Sequence, residues 1–110
     1  MPLSARTRIE AYLPDLPRPE YQDLLSALEL EFTYTFGGCS TIRGVEGHYL
    51  SHAGARIRDR VNIVYCDTPF AMESQFELLS QYSDELREAI IAALDEESVL
   101  IAAWQIYHSE

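Results

Sequence analysis

The chain has 110 residues, with 18 acids against 8 bases and a net charge of -10. Every base is an arginine, which excludes Schiff-base lysine chemistry and a P-loop, and argues against a nucleic-acid partner, whose binding rests on neutralising phosphates. A hydrophobic share of 47% with 24% charged residues fits one soluble globular domain over residues 1–110. No apolar run reaches the roughly 20 residues that cross a bilayer. The opening MPLSARTRIE lacks the apolar core of a signal peptide, so a cytoplasmic location with no membrane partner is expected. Cys39 and Cys66 are too few and too isolated for a secreted disulfide framework, and neither lies in a CxxC pair; reduced thiols are expected.

In chain order, Ile9, Ala11 and Leu13 alternate with Arg8, Glu10 and Tyr12, the period of a half-buried strand over 7–13. Pro14, Pro17 and Pro19 end it. Pro19 suits the first turn of a helix, and Tyr21, Leu24, Leu25 and Leu28 follow at helical spacing. Leu30, Phe32, Tyr34 and Phe36 then alternate with Glu31, Thr33 and Thr35, which predicts a second strand over 30–36. A short extended piece is expected over 46–51, and Arg60 to Cys66 reads as a strongly apolar third strand closed by Asp67, Thr68 and Pro69. Ser74 and Glu77 match a capping box, and Phe76, Leu79, Leu86, Ile90 and Ala93 mark one long helix. Asp95 to Glu97 opposes a helix C-terminus and is placed in a turn. Ser98 to Tyr107 is apolar on both faces, as a central or covered strand would be.

All five glycines, four arginines and two histidines crowd into 37–60, GGCSTIRGVEGHYLSHAGARIRDR. Glycine permits positive φ and close backbone approach, so this segment reads as a specially shaped hairpin inserted in a regular scaffold. The element order is strand, helix, strand, strand, helix, strand. That is α+β with the βαββαβ arrangement of the ferredoxin-like α/β plait: an antiparallel sheet, two helices on one face, and a glycine-rich hairpin insertion. The open sheet face, with Tyr12, Val64, Cys66, Leu100, Trp104 and Ile106 as its expected apolar residues, predicts a homo-oligomer.

Phe36, Gly37, Gly38 and Thr41, then Gly47 and Tyr49, then Asp59 form a pattern that resembles small uncharacterised bacterial α/β-plait proteins. Those have a strand ending in FGG, a nearby threonine, a G-x-[WY] pair and an acid before the next strand. The resemblance covers the middle third of the chain, with Ser40 and Thr41 displaced by one position from the pattern. It implies the plait fold and no activity.

Several chemistries compete within 37–60. Arginine forks and glycine-rich amides suit a small anion, which makes Gly37, Gly38, Ser40, Thr41, Arg43, His48, Tyr49 and Arg56 the expected ligand-binding residues. Against this, Arg56, Arg58 and Arg60 alternate as a solvated strand face does and can pair with acids across the sheet. His48 and His52 share a face in an extended hairpin and, with Cys39 or Asp59, have the chemistry of zinc ligands, but their spacing is that of no recognised site. No metal and no cofactor is expected. Cys39 beside backbone amides and Arg43 suits a thiolate, and a small enzyme built on His48, Asp59 and Cys39 is the alternative to a non-enzymatic binding module. Thr33 and Thr35 are expected to line a polar cleft with Ser40 and Thr41.

Overall fold

The structure, a computed structural model, describes residues 2–96 and 99–109. Its elements are β1 (Leu3–Pro14), α1 (Pro19–Phe36), β2 (Ser40–Leu50), β3 (Arg56–Thr68), α2 (Phe76–Leu94) and β4 (Leu100–Ser109). The four strands form one antiparallel sheet in the order β2-β3-β1-β4. The βαββαβ plait is therefore present, but two of its elements lie elsewhere than the sequence pattern places them.

Leu30 to Phe36 is helical, not a strand. The segment carries two periods at once. Tyr21, Leu25, Leu28 and Phe32 are buried and Phe36 packs beside them, a stripe that runs four, three, four and four residues apart down one helix face. The competing alternation would have buried Leu30 and Tyr34, which are 57% and 85% exposed. Burial of Phe32 and Phe36 on the helical stripe outweighs the strand propensity of the threonines and aromatics. Pro19 opens α1, and Gly37 closes it at φ 94°, its N–H donating to the Thr33 carbonyl at 2.9 Å.

The second strand is supplied by the glycine-bearing segment itself. No hairpin is inserted: β2 and β3 are the plait's own hairpin, paired from Ser40 opposite Tyr65 to Leu50 opposite Arg56. β1 accompanies β3 only as far as Pro14 opposite Val61, so the far half of the hairpin projects as a two-stranded arm. Its reach explains extents of 48 × 29 × 24 Å and a radius of gyration of 15.2 Å, against about 13 Å for a rounded domain of this length. A bulge between Ile42 and Val45 sets the bend where the arm leaves the body. Gly44 sits there at φ 65°, a Cβ on it would lie 2.5 Å from Arg60 Nη2, and its N–H donates to Asn62 Oδ1 at 2.9 Å. Buried Asn62 donates in turn to Asp15 Oδ1 at 3.3 Å.

Other expectations change in detail. β4 is an edge strand, not a central one; its inward face packs Ile101 under α2 while Leu100 and Trp104 remain 59% and 46% exposed. α2 is a single helix beginning at Phe76, with Gln75 at its N-cap and no side-chain cap bond, so Ser74 does not form the capping box. Asp95 does turn out of the helix, at φ 55°. Glu97 and Ser98 lie outside the described residues.

Alternation divides the sheet cleanly. Ile9, Ala11, Leu13, Val64 and Cys66 are all at 2% exposure or less against Leu25, Phe32, Leu79 and Ile90 of the helices. Val64 and Cys66 thus belong to the helix-covered core and not to the open face, being opposite inward-facing Ala11 and Ile9. Among the described residues no helix is long and apolar enough to cross a membrane.

Candidate functional site

The eight expected ligand-binding residues are strung along β2 and its flanks. At roughly 3.3 Å per residue, Ser40 and Leu50 lie about 33 Å apart. Gly37 caps α1, and Gly38 and Ser40 border a 140 Å³ cavity with Cys39, Tyr65, Cys66 and Asp67. The Thr41 hydroxyl donates to the Glu29 carboxylate. Arg43 is exposed within the bulge. His48 and Arg56 do meet, His48 Nδ1 lying 3.2 Å from Arg56 Nη2 on the arm, whereas Tyr49 points by alternation to the opposite face.

The arm's arginines have partners. Arg58 pairs with Glu46, and Arg60 Nε lies 3.6 Å from Asp15 Oδ2. A 350 Å³ hollow at the root of the arm is lined by Arg58 and Arg60 but also by Asp15, Glu46 and Asp59, with Leu16. Three carboxylates against two guanidiniums make it a poor anion site. His48 and Asp59 sit on opposite strand faces, the Asp59 carboxylate accepts from the Arg60 N–H at 2.8 Å, and Cys39 stands at the far end of β2. His52 lies in the turn after β2. Among the described residues no group of three or more His, Cys, Asp and Glu is close enough to hold a metal ion. Thr33 and Thr35 are helical and donate to the Glu29 carbonyl (2.7 Å) and the Glu31 carboxylate (2.8 Å), so they frame no strand cleft.

The open sheet face holds a constellation that the sequence pattern did not single out. Arg8 on β1, Asp67 on β3 and His108 on β4 converge from three strands: Arg8 is directly opposite Asp67, and His108, opposite Ser4, reaches the pair diagonally. Arg8 Nε and Nη2 donate to the two Asp67 oxygens at 2.6 and 3.1 Å, and His108 Nε2 donates to Asp67 Oδ2 at 2.9 Å. The guanidinium lies 4.4 Å from the Tyr65 ring centre and 5.5 Å from that of Trp104, within cation–π range of both. The Arg8 guanidinium, and after it His108, hold the Asp67 carboxyl below its ordinary value against the opposing effect of burial. Close by, the Tyr12 hydroxyl donates to Glu10 Oε1 at 2.9 Å. The available signal was parity: Arg8 and Asp67 both fall on the half of the alternation opposite the buried residues.

Around this cluster the face is apolar. Ile42, Val45, Val61, Ile63 and Tyr65 extend it across β2 and β3, and Leu100, Trp104 and Ile106 across β4, all exposed or half-buried. On the opposite side of the molecule a 340 Å³ groove separates the helices, with Leu28 and Ile90 at its floor and Glu31 and Glu85 among its walls. Tyr82 closes it by donating to Glu31 Oε2 at 2.7 Å, and burial together with that bond pushes the phenol pKa up.

Comparison with known families, with curated proteins and with solved structures finds no match to this chain. What the fold and the site define is accordingly a class only: a ferredoxin-like plait with an uncovered, aromatic sheet face.

Proposed function

We propose that the chain is a cytoplasmic, non-enzymatic plait module that assembles through its open sheet face, two copies packing sheet against sheet. The supporting observation is how charge and apolar surface are divided. α1 carries four acids and no base, and α2 carries four acids and one base, so the helical layer bears most of the net charge of -10 and repels its like. Over the sheet body Arg6 and Arg8 balance Glu10 and Asp67, and Arg8 and Asp67 already satisfy one another within the face. A neutral face with satisfied charges can be dehydrated by a second copy without stranding an ion. Four strands about 4.8 Å apart and roughly 33 Å long offer a footprint on the order of 600 Å², near the ~800 Å² per partner of stable interfaces.

Binding of a small anion on 37–60 is the weaker part of the reading: Arg43 at the bulge and Arg56 beside His48 stand far apart on the hairpin, and at the root of the arm an anion would have to displace Glu46 and Asp15 from Arg58 and Arg60. Sedimentation of the purified chain tests the assembly. A dimer or larger particle is expected, and Trp104→Glu, which sets a charge on the β4 side of the face beside Arg8, should weaken it at least tenfold. Leu30→Glu on the helical surface should leave it unchanged. A wild-type monomer at all accessible concentrations would refute the reading.

A further inference from the structure

We infer that Cys39 and Cys66 form a dithiol that a low-molecular-weight disulfide oxidises to an intrachain bridge. The pairing follows from register. β2 and β3 run antiparallel with Thr41 opposite Val64 and Ser40 opposite Tyr65; Cys39 is the residue just before β2, and carrying the register one step past the strand's end sets it opposite Cys66. Val64 faces the helices, so Thr41 beside it, and Cys39 and Cys66 two positions on, turn to that same side. Both thiols accordingly pack at the helix-covered core. Residues directly opposite in an antiparallel ladder have Cα atoms about 4.5–5.5 Å apart, inside the roughly 4.4–6.8 Å that a disulfide spans. Twenty-six residues separate them in sequence, which is why spacing alone conceals the pair.

The two sulfurs are unequal, and this fixes the order of events. Cys39 is half-buried and Cys66 fully buried, and both border the 140 Å³ cavity with Gly38, Ser40, Tyr65 and Asp67. The Cys39 Sγ lies under the end of α1, donating to the Glu29 carbonyl at 3.5 Å and 3.7 Å from Thr33 Oγ1. Burial, with Asp67 and Cys39 nearby, pushes the Cys66 thiol up to about 12. Cys39 is therefore the attacking sulfur and Cys66 the slow, resolving one.

Cys39 gives its proton to water and attacks one sulfur of the external disulfide; that S–S bond breaks, and one half departs as a thiolate, leaving a mixed disulfide. Cys66 then loses its proton and attacks the Cys39 sulfur, expelling the second half as a thiolate. The two protein sulfurs give up two electrons, the external disulfide accepts them, and the two released thiolates take up the two protons. The finished bridge ties the residue just beyond the α1 cap to β3, next to Tyr65 and Asp67 of the open face.

Incubating the full chain with excess oxidised glutathione, quenching in acid and weighing the intact protein without reductant follows each step. A species one glutathionyl group heavier should rise first and decay into a single chain two hydrogens lighter than the starting protein, with the Cys39 and Cys66 peptides linked on digestion. Cys66→Ser should stop at the glutathionyl adduct, and Cys39→Ser should form neither species at a comparable rate. Wild-type protein that stops at the adduct, that links two chains, or that takes up no glutathione overturns the dithiol; this readout stands even if a cysteine variant fails to fold.

Discussion

The two faces of the sheet share every strand and contrast in almost every residue. On the covered face Thr7, Ile9, Ala11 and Leu13 of β1 meet Asn62, Val64, Cys66 and Thr68 of β3, and all eight are buried. On the open face the residues between them, Arg8, Glu10 and Tyr12 with Ile63, Tyr65 and Asp67, keep partial contact with water. Polar partnering runs opposite to what burial alone suggests. The half-wet face has Arg8, Asp67 and His108 bonded together and Tyr12 bonded to Glu10, whereas the sealed face contains the Thr7 hydroxyl with no partner among the described residues. The covered face is thus held chiefly by shape and apolar area, with Asn62 bonded to Gly44 and Asp15 at one end of it, and the open one by a cross-strand polar clasp inside an apolar surround.

The contrast predicts a hierarchy of mutational cost, with the covered face first. Phe32 is 0% exposed and closes the helix layer over Ile9 and Val64, so Phe32→Ala should cost about 3–5 kcal/mol of unfolding free energy. Urea titration followed by circular dichroism measures it. A loss below about 1 kcal/mol would mean that the helices do not seal that face.

Asp67→Asn comes next and probes the clasp. It removes the ionised acceptor shared by Arg8 and His108 and should cost about 1–3 kcal/mol at neutral pH. The folded-state pKa of Asp67 lies below its ordinary value, chiefly through Arg8. Its stabilisation is therefore complete above the unfolded carboxyl pKa of about 3.9 and is lost as pH falls through the lower folded value. Wild type and Asp67→Asn compared by urea titration from neutral pH downward should keep a gap in stability until about pH 4 and converge below it. A gap unaffected by acid would assign the loss to packing and not to the charge.

How far this contrast was legible beforehand differs element by element. β1 announces itself because Ile9, Ala11 and Leu13 alternate with polar groups and are the residues the helices bury. Leu30 to Phe36 does not, since Phe32 and Phe36 satisfy the helical and the strand period together and only tertiary burial of Tyr21, Leu25 and Leu28 on the same stripe decides. Placing the second strand there turned the glycine-bearing segment into an apparent insertion. The glycines are real signals, but of a bulge at Gly44 and a helix end at Gly37, both at positive φ, and not of a gathered pocket. The clasp was hidden for another reason: Arg8, Asp67 and His108 are dispersed along the whole chain and meet only once the strands pair, Arg8 opposite Asp67 and His108 reaching across diagonally. The same is true of Cys39 and Cys66.

The smallest predicted effect lies at a buried hydroxyl of the covered face that has no partner among the described residues. Thr7 stands between Thr68 on β3 and Gln105 on β4 and is 0% exposed, with its Oγ1 unpartnered, while Thr68 at least accepts the Phe70 N–H at 3.3 Å. Valine keeps the branched shape that the strand favours and removes the stranded hydroxyl. Thr7→Val should be neutral or stabilising, by up to about 1 kcal/mol. Thr7→Ser, which keeps the hydroxyl and deletes a buried methyl, should cost about 1 kcal/mol. The two urea midpoints should therefore move to opposite sides of wild type, or Thr7→Val should stay at it. If Thr7→Val instead falls with Thr7→Ser, the hydroxyl has a partner within the core, and the covered face, like the open one, depends on polar bonding as well as on shape.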